Sequence, residues 1–228
     1  MKVIFVRHGE SAGNADIPSF NLAQIPLTHK GETQAEGVAA GWRSTPTLIV
    51  MSPYLRAQMT AQPTIRRFLT VPLQVLCIQE FVYLDPAIWG GSTHAQRRPA
   101  VEAYWGRGNP DYVSGPGAES FHSLLERVRD AFRWFDRLDN LSLVYAFSHG
   151  QFMQAARLII ARPSENDITL MQAFADYHDT HPIENGETMA FTRQPGEEWR
   201  LDQARAMEGR ASNLSNFSTR QQQQIEPL

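Results

Sequence analysis

Val3-Ile4-Phe5-Val6-Arg7-His8-Gly9-Glu10-Ser11-Ala12-Gly13-Asn14 is the stretch on which the reading of this chain turns. Its first four residues are apolar, as in a strand covered on both faces. A cation, an imidazole and a glycine follow where that strand would leave the sheet. A guanidinium beside an imidazole disfavours a second positive charge, so His8 is expected to be neutral, with a lone pair free to attack an electrophile. The forked guanidinium of Arg7 suits a phosphate. By itself the segment fits a solvated strand end and turn equally well.

The chain has 228 residues, enough for one large α/β domain or two small ones, and enough to bury a core without staples. Its hydrophobic and charged fractions, 42% and 20%, are those of an ordinary globular protein. A net charge of −3 gives no overall basic field, which argues against nucleic acid as a partner. The single cysteine, Cys77, has no internal disulfide partner. It lies in Val75-Leu76-Cys77-Ile78 and is expected to pack as a small hydrophobe rather than act as a nucleophile. No run is long enough to span a membrane, and the first residues lack a signal-peptide core, so a cytoplasmic location without a membrane partner is expected.

Apolar runs suited to buried strands fall at Val3–Val6, Leu48–Met51, Val75–Ile78 and Leu143–Phe147, with a late pair at Met189–Thr192 and Trp199–Leu201 around the turn Gln194-Pro195-Gly196-Glu197. Helical patterns lie between them: Gly31–Trp42, Leu55–Leu69 with a kink or restart at Pro63, and Phe152–Ala161. Phe121, Leu124, Leu125, Val128, Phe132 and Phe135 mark the clearest helix, with Ser120 as its N-cap. Ser164-Glu165-Asn166-Asp167 reads as a capping box for one more. This alternation predicts an α/β fold with a mainly parallel sheet. Asp85 to Gly117, rich in Gly, Pro, Trp and Arg, breaks the rhythm and reads as an insertion over the active edge. The chain is expected to form one domain over residues 1–207 and a flexible tail over 208–228, which contains Gln221-Gln222-Gln223-Gln224.

Three features answer the opening motif. Ser52-Pro53-Tyr54-Leu55-Arg56 places Arg56 in the first turn of a helix at a strand's carboxyl end, where open α/β sheets bind ligands. Ser148-His149-Gly150 repeats the first motif's form: apolar strand, histidine, glycine, helix. Glu80 follows the third strand and is a candidate to protonate a leaving oxygen. Parallel strands put all their carboxyl ends on one edge, so His8 and His149 can meet there. Taken singly, Arg56 fits a solvated helix residue, His149 a helix-cap histidine and Glu80 a loop carboxylate.

Together these residues resemble the histidine phosphatase superfamily, the branch that includes cofactor-dependent phosphoglycerate mutases and their phosphatase relatives. The matching elements are Arg7-His8-Gly9-Glu10-Ser11 with Asn14, Pro26-Leu27-Thr28 with Gly31 and Gln34-Ala35, and Ser52-Pro53 with Arg56-Ala57 and Thr60-Ala61. They continue with Glu80, Glu119-Ser120-Phe121 and Ser148-His149-Gly150, in family order across residues 3 to 201. The resemblance implies a three-layer α/β/α fold like that of phosphoglycerate mutase. It implies His8 as the nucleophile that becomes phosphohistidine, Arg7, Arg56 and His149 as holders of the phosphoryl oxygens, Asn14 as a further phosphate contact and Glu80 as proton donor. Phosphoryl transfer rests on positioning and charge stabilisation, which a ring of cationic donors supplies. No metal and no cofactor is expected, since no clustered carboxylates sit at magnesium-ligand spacing.

Within the family, hydrolysis of a small-molecule phosphomonoester is the favoured reading. In phosphoglycerate mutases the acid opens a recognisable pattern followed by a basic insertion. Here Glu80-Phe81-Val82-Tyr83-Leu84-Asp85 is aromatic and apolar and does not match. Mutase-type phosphoryl transfer is the alternative, followed by a phosphoprotein phosphatase and a non-catalytic phospho-ligand module, although no key residue is lost. Arg97-Arg98 reads as an exposed basic pair, or as extra cations for a mutase. Trp89, His94, Tyr104, Trp105 and Arg107 read as lid core, or as surfaces for an organic leaving group. Glu119 is a candidate substrate contact. The oligomeric state is not written in the sequence.

Overall fold

The computed structural model describes residues 1–202. Six strands, β1 (Lys2–Arg7), β2 (Leu48–Met51), β3 (Leu73–Val75), β4 (Leu143–Ser148), β5 (Thr188–Thr192) and β6 (Arg200–Leu201), form one sheet in the order β3-β2-β4-β1-β5-β6. β1 to β4 run parallel, β5 pairs antiparallel with β1, and β6 pairs antiparallel with β5. The expected α/β architecture is therefore present, with β5 as the one reversed strand, near one side. The expected tail at 208–228 and the end of the expected domain lie outside the described residues.

Strand alternation builds both layers. Val3 and Phe5 face one core, with Val144 and Ala146 of β4 and the helices α5 (Phe121–Phe135), α6 (Gly150–Ala161) and α7 (Asp167–Thr180). Ile4 and Val6 face the other, with Tyr145 and Phe147 and the helices α1 (His29–Ala40) and α2 (Leu55–Arg67). Every residue from Val3 to Val6 is buried because both faces are covered. Trp42 stacks on Tyr145 at 3.7 Å between ring centroids, and its indole nitrogen donates to Thr64 Oγ1 at 2.8 Å. α2 runs unbroken past Pro63, which is buried, so the expected kink does not end the helix.

Three expectations need correction. The third strand ends at Val75, and Leu73 to Val75 lie exposed on the sheet's edge. Ile78 is buried outside any strand, and its carbonyl accepts from Ser148 Oγ at 2.7 Å. The apolar run marks a chain leaving the sheet to bring Glu80 to the strand ends. Cys77 is exposed on that run rather than packed. The N-cap of α7 is Asn166, which accepts from Thr169 N at 3.0 Å, not Ser164. Ser120 does cap α5, accepting from Ser123 N at 3.1 Å.

The 85–117 segment is largely helical: α3 (Pro86–Trp89), capped by Asp85, and α4 (His94–Gly106), opened by a Thr93–Gln96 capping box. Tyr104 and Trp105 pack into an aromatic cluster with Phe81, Tyr83, Phe121 and Phe174, so these two are lid core. The segment is latched to the loop after β1 by Gly91 N to Ser19 O at 2.9 Å and His94 N to Asp16 Oδ1 at 2.8 Å.

Gly9 and Gly31 set how closely that loop meets the start of α1. A methyl group on Gly31 would overlap the Glu10 carbonyl, and one on Gly9 would overlap the Gly31 carbonyl. Thr28 N donates to Glu10 O at 2.9 Å across the same contact. Gly31→Ala is therefore expected to destabilise the fold by about 1–3 kcal/mol and to lower activity by displacing the His8 loop. Denaturant unfolding and phosphate-release assays on the variant check this.

Candidate active site

Register brings the two strand-end motifs together. Arg7 pairs with Ser148 across β1 and β4, and the ladder continues with His8 N donating to Ser148 O at 3.0 Å. His8 and His149 therefore leave adjacent parallel strands at one level. Their rings lie 5.0 Å apart, inclined at 60°. Both are buried, as is Arg56, which stands at the start of α2.

His8 Nδ1 lies 2.7 Å from Gly9 O. A carbonyl oxygen only accepts, so Nδ1 carries the proton and Nε2 keeps its lone pair. Arg56 Nε donates to that Nε2 at 3.2 Å, and Arg56 Nη1 donates to Leu22 O at 2.8 Å. Thr60 locks the arrangement, donating to Arg56 O at 2.6 Å and accepting from Gly9 N at 3.0 Å. The guanidinium of Arg56 also lies over the Tyr54 ring at 4.9 Å.

His149 Nε2 lies 2.8 Å from Ser52 Oγ, which takes the Tyr54 amide hydrogen at 3.2 Å. The Ser52 hydroxyl can give its own hydrogen to Nε2, and in that tautomer the His149 proton sits on Nδ1. That atom is buried without a hydrogen-bond partner among the described residues. Arg7 Nε is in the same condition, while Arg7 Nη1 donates to Ile183 O. Buried donors left unpaired by the protein cost stability, and an anion at this point would satisfy both.

Glu80 Oε1 accepts from Phe81 N and from Gln151 N in the first turn of α6, each at 3.1 Å. Glu119 does not contact the cleft. It forms a two-pronged pair with Arg127 at 2.6 and 3.1 Å and accepts from Val82 N at 3.3 Å. Arg127 in turn holds the Cys77 and Gln79 carbonyls. The pair fixes the segment that carries Glu80. Asn14 is exposed on the cleft wall, its Oδ1 taking hydrogens from Ser11 and from Asn185 Nδ2, which leaves its own amide nitrogen as the end able to meet an anion.

Arg7, Asn14, Glu80, Gly150 and Gln151 open onto a cleft of about 750 Å³, within the range of small-molecule sites. Trp89, His94, Arg97 and Arg98 of the 85–117 segment also line it, so the segment does lie over this edge. Among the described residues no cluster of three or more His, Cys, Asp or Glu is placed to hold a metal ion, and no helix is long and apolar enough to cross a membrane.

Sequence reasoning found Arg7, His8, Arg56, Glu80 and His149, and the structure brings all five to one edge. It passed over Ser52 and Thr60, which lie inside the quoted motif, Thr60 one helical turn after Arg56. It also passed over Asn185, whose Nδ2 donates to His8 O at 2.9 Å, and the Ile183 carbonyl. These belong to a loop after α7 with no pattern to mark it.

Burial first, then Arg56, hold the His8 imidazole well below its ordinary pKa of 6.5. His149 is lowered likewise, by burial first and then by Arg56 and His8. In the unfolded chain both take up protons near pH 6.5. Below that value the unfolded state binds more protons than the folded one, so stability is full above about pH 6.5 and is lost as pH falls towards the lowered folded values. The unfolding temperature should decline from pH 7 to pH 5, and His149→Gln should flatten that decline; calorimetry across this range measures both.

The model of the histidine phosphatase superfamily (branch 1) matches residues 3–176. Similar solved structures include mycobacterial hydrolase 1, at 22% identity and a TM-score of 0.70, covering 88% of this chain and 96% of that one. The α-ribazole phosphatase of Shigella flexneri is 20% identical with a TM-score of 0.68, covering 89% and 95%. Mycobacterial glucosyl-3-phosphoglycerate phosphatase, in complex with inorganic phosphate, is 25% identical with a TM-score of 0.64, covering 88% and 95%. No curated protein matches the chain. The family match runs from β1 into α7 and takes in each of the strand ends and helix starts that build the site, and the chain belongs to the histidine phosphatase superfamily (branch 1), as a phosphatase enzyme.

Proposed function

We propose that this enzyme hydrolyses small-molecule phosphomonoesters in two steps through a phosphohistidine on His8. The observation that carries this reading is the His8 ring: Nδ1–H is spent on Gly9 O, and Nε2 presents a lone pair beside Arg56. Histidine is a weak nucleophile when protonated, and burial beside two arginines keeps this one neutral.

In the first step His8 Nε2 bonds to phosphorus in line with the departing oxygen, and the P–O ester bond breaks. Glu80 passes a proton to that oxygen, and the alcohol leaves. In the second step Glu80 takes a proton from water, the water oxygen bonds to phosphorus, and the N–P bond breaks to release inorganic phosphate. Arg56 Nε and phosphorus compete for one lone pair, so the guanidinium shifts onto the anionic phosphoryl oxygens as the ester enters. Arg7 Nε and His149 Nδ1, buried donors without protein partners, supply the remaining hydrogen bonds. Asn14 adds its amide nitrogen from the cleft wall. The Phe81 and Gln151 amides hold Glu80 in place through Oε1 and leave its other oxygen for the proton transfers.

Rapid acid-free quenching during turnover should trap acid-labile phosphate on His8, and His8→Ala should abolish both the trapped phosphate and turnover. Normal hydrolysis by His8→Ala would contradict the reading. Glu80→Gln should lower kcat by about 10²–10⁴-fold for esters of poorly leaving alcohols, and by much less for nitrophenyl phosphate, whose leaving group needs no proton. Phosphate release and phosphoryl shift are scored separately; shift without release, stimulated by a bisphosphoglycerate, would establish a mutase instead.

A further inference from the structure

The 85–117 segment supplies two kinds of aromatic residue. Tyr104 and Trp105 are spent inside the cluster with Phe81, Tyr83 and Phe121. Trp89, at the end of α3, stands on the cleft wall instead, half-buried. Val101 of α4 joins it there, with Leu22, Val82 and Leu84, all partly exposed. The wall is continuous with the chemistry at two points. The carbonyl of Leu22 holds Arg56, and the run from Glu80 to Leu84 leads from the acid into the apolar surface.

Arg97, Arg98 and His94, on this side of the cleft, each have a partner within the protein. Arg97 Nη1 donates to Ser92 O at 2.6 Å, and Arg98 Nε pairs with Glu102 at 2.8 Å. His94 Nδ1 lies 3.2 Å from Asp16 Oδ1. What the cleft offers beyond its phosphate end is mostly apolar surface. A phosphoryl group fills only a small part of about 750 Å³.

We infer that this part of the cleft is a leaving-group subsite for a bulky, largely apolar alcohol, and that Trp89 and Val101 determine that preference. The inference rests on the phosphatase reading above and names the class of ester that reading left open. A small polar acid such as a phosphoglycerate would leave the wall of Leu22, Val82, Leu84, Trp89 and Val101 in water. An alkyl or aryl-alkyl alcohol would cover it, and each methylene removed from water is worth about fourfold in binding.

Ethyl, hexyl and naphthylethyl phosphates test this, because their alcohols leave with similar basicity, and 3-phosphoglycerate is the polar comparison. We expect kcat/KM to rise roughly tenfold or more from the ethyl to the hexyl ester. Trp89→Ala and Val101→Asp should each shrink the hexyl-to-ethyl ratio, and the conservative Trp89→Phe should retain most of it. A flat series, an unchanged ratio in both variants, or a preference for 3-phosphoglycerate over hexyl phosphate would overturn the inference. Calorimetric binding of the uncleavable ethyl- and hexylphosphonates separates it from the catalytic reading. If no ester is turned over but hexylphosphonate still binds about tenfold more tightly, the subsite stands and the phosphatase mechanism falls. Equal affinities overturn the subsite whatever the turnover.

Discussion

One hydrogen bond carries more of this site than any other: His8 N–H to Ser148 O, the last rung between β1 and β4. It extends the parallel ladder by one residue beyond the strands and sets the two histidine-bearing strand ends level. A slip of one residue in that register would turn every side chain of β1 to the opposite face, exchanging Val3 and Phe5 with Ile4 and Val6 between the two cores. Both cores are full, so the register is fixed by packing on both faces. The 5.0 Å ring separation follows from that packing rather than from attraction between two imidazoles.

The same burial supplies the electrostatics. Two imidazoles and a guanidinium share a dry edge, and each would rather not be the second or third charge there. Arg56 is lowered by burial but remains the group that holds the charge, and the histidines give way by staying neutral. That division is what a nucleophile and a phosphate holder require. Nucleophilicity at His8 needs a lone pair, and affinity for a phosphoryl group needs a cation within reach. A loss of stability in acid is the expected cost of holding two neutral imidazoles in this position.

Much of this was legible before any coordinates. Val3–Val6 and Leu143–Phe147 read as strands because continuous apolar runs bounded by polar motifs have few other interpretations. His8, Arg7, Arg56 and His149 read as a site because each sits just past such a run. Val75–Ile78 misled for a physical reason: apolarity reports burial, not strand pairing, and Ile78 is buried in a connection beneath the Ser148 hydroxyl. The supports that orient the site, Ser52, Thr60 and Asn185, were not read because a hydroxyl or amide holding a neighbour leaves no periodic trace. Glu119 fell on the wrong side of the same difficulty. Its quoted motif placed it near the site, and only geometry shows it paired with Arg127 behind Glu80. Trp89 and Trp105 could not be told apart by sequence, since their fates depend on where α3 and α4 lie over the cleft.

A phosphohistidine route displaces phosphorus twice, first by His8 and then by water. Stereochemistry at phosphorus reads this directly. Each in-line displacement inverts the configuration, so a phosphorothioate monoester made chiral with two oxygen isotopes, hydrolysed in water enriched in the third, must give chiral thiophosphate with overall retention if His8 intervenes. Retention is expected. Inversion would mean a single direct attack by water and would contradict the phosphohistidine route.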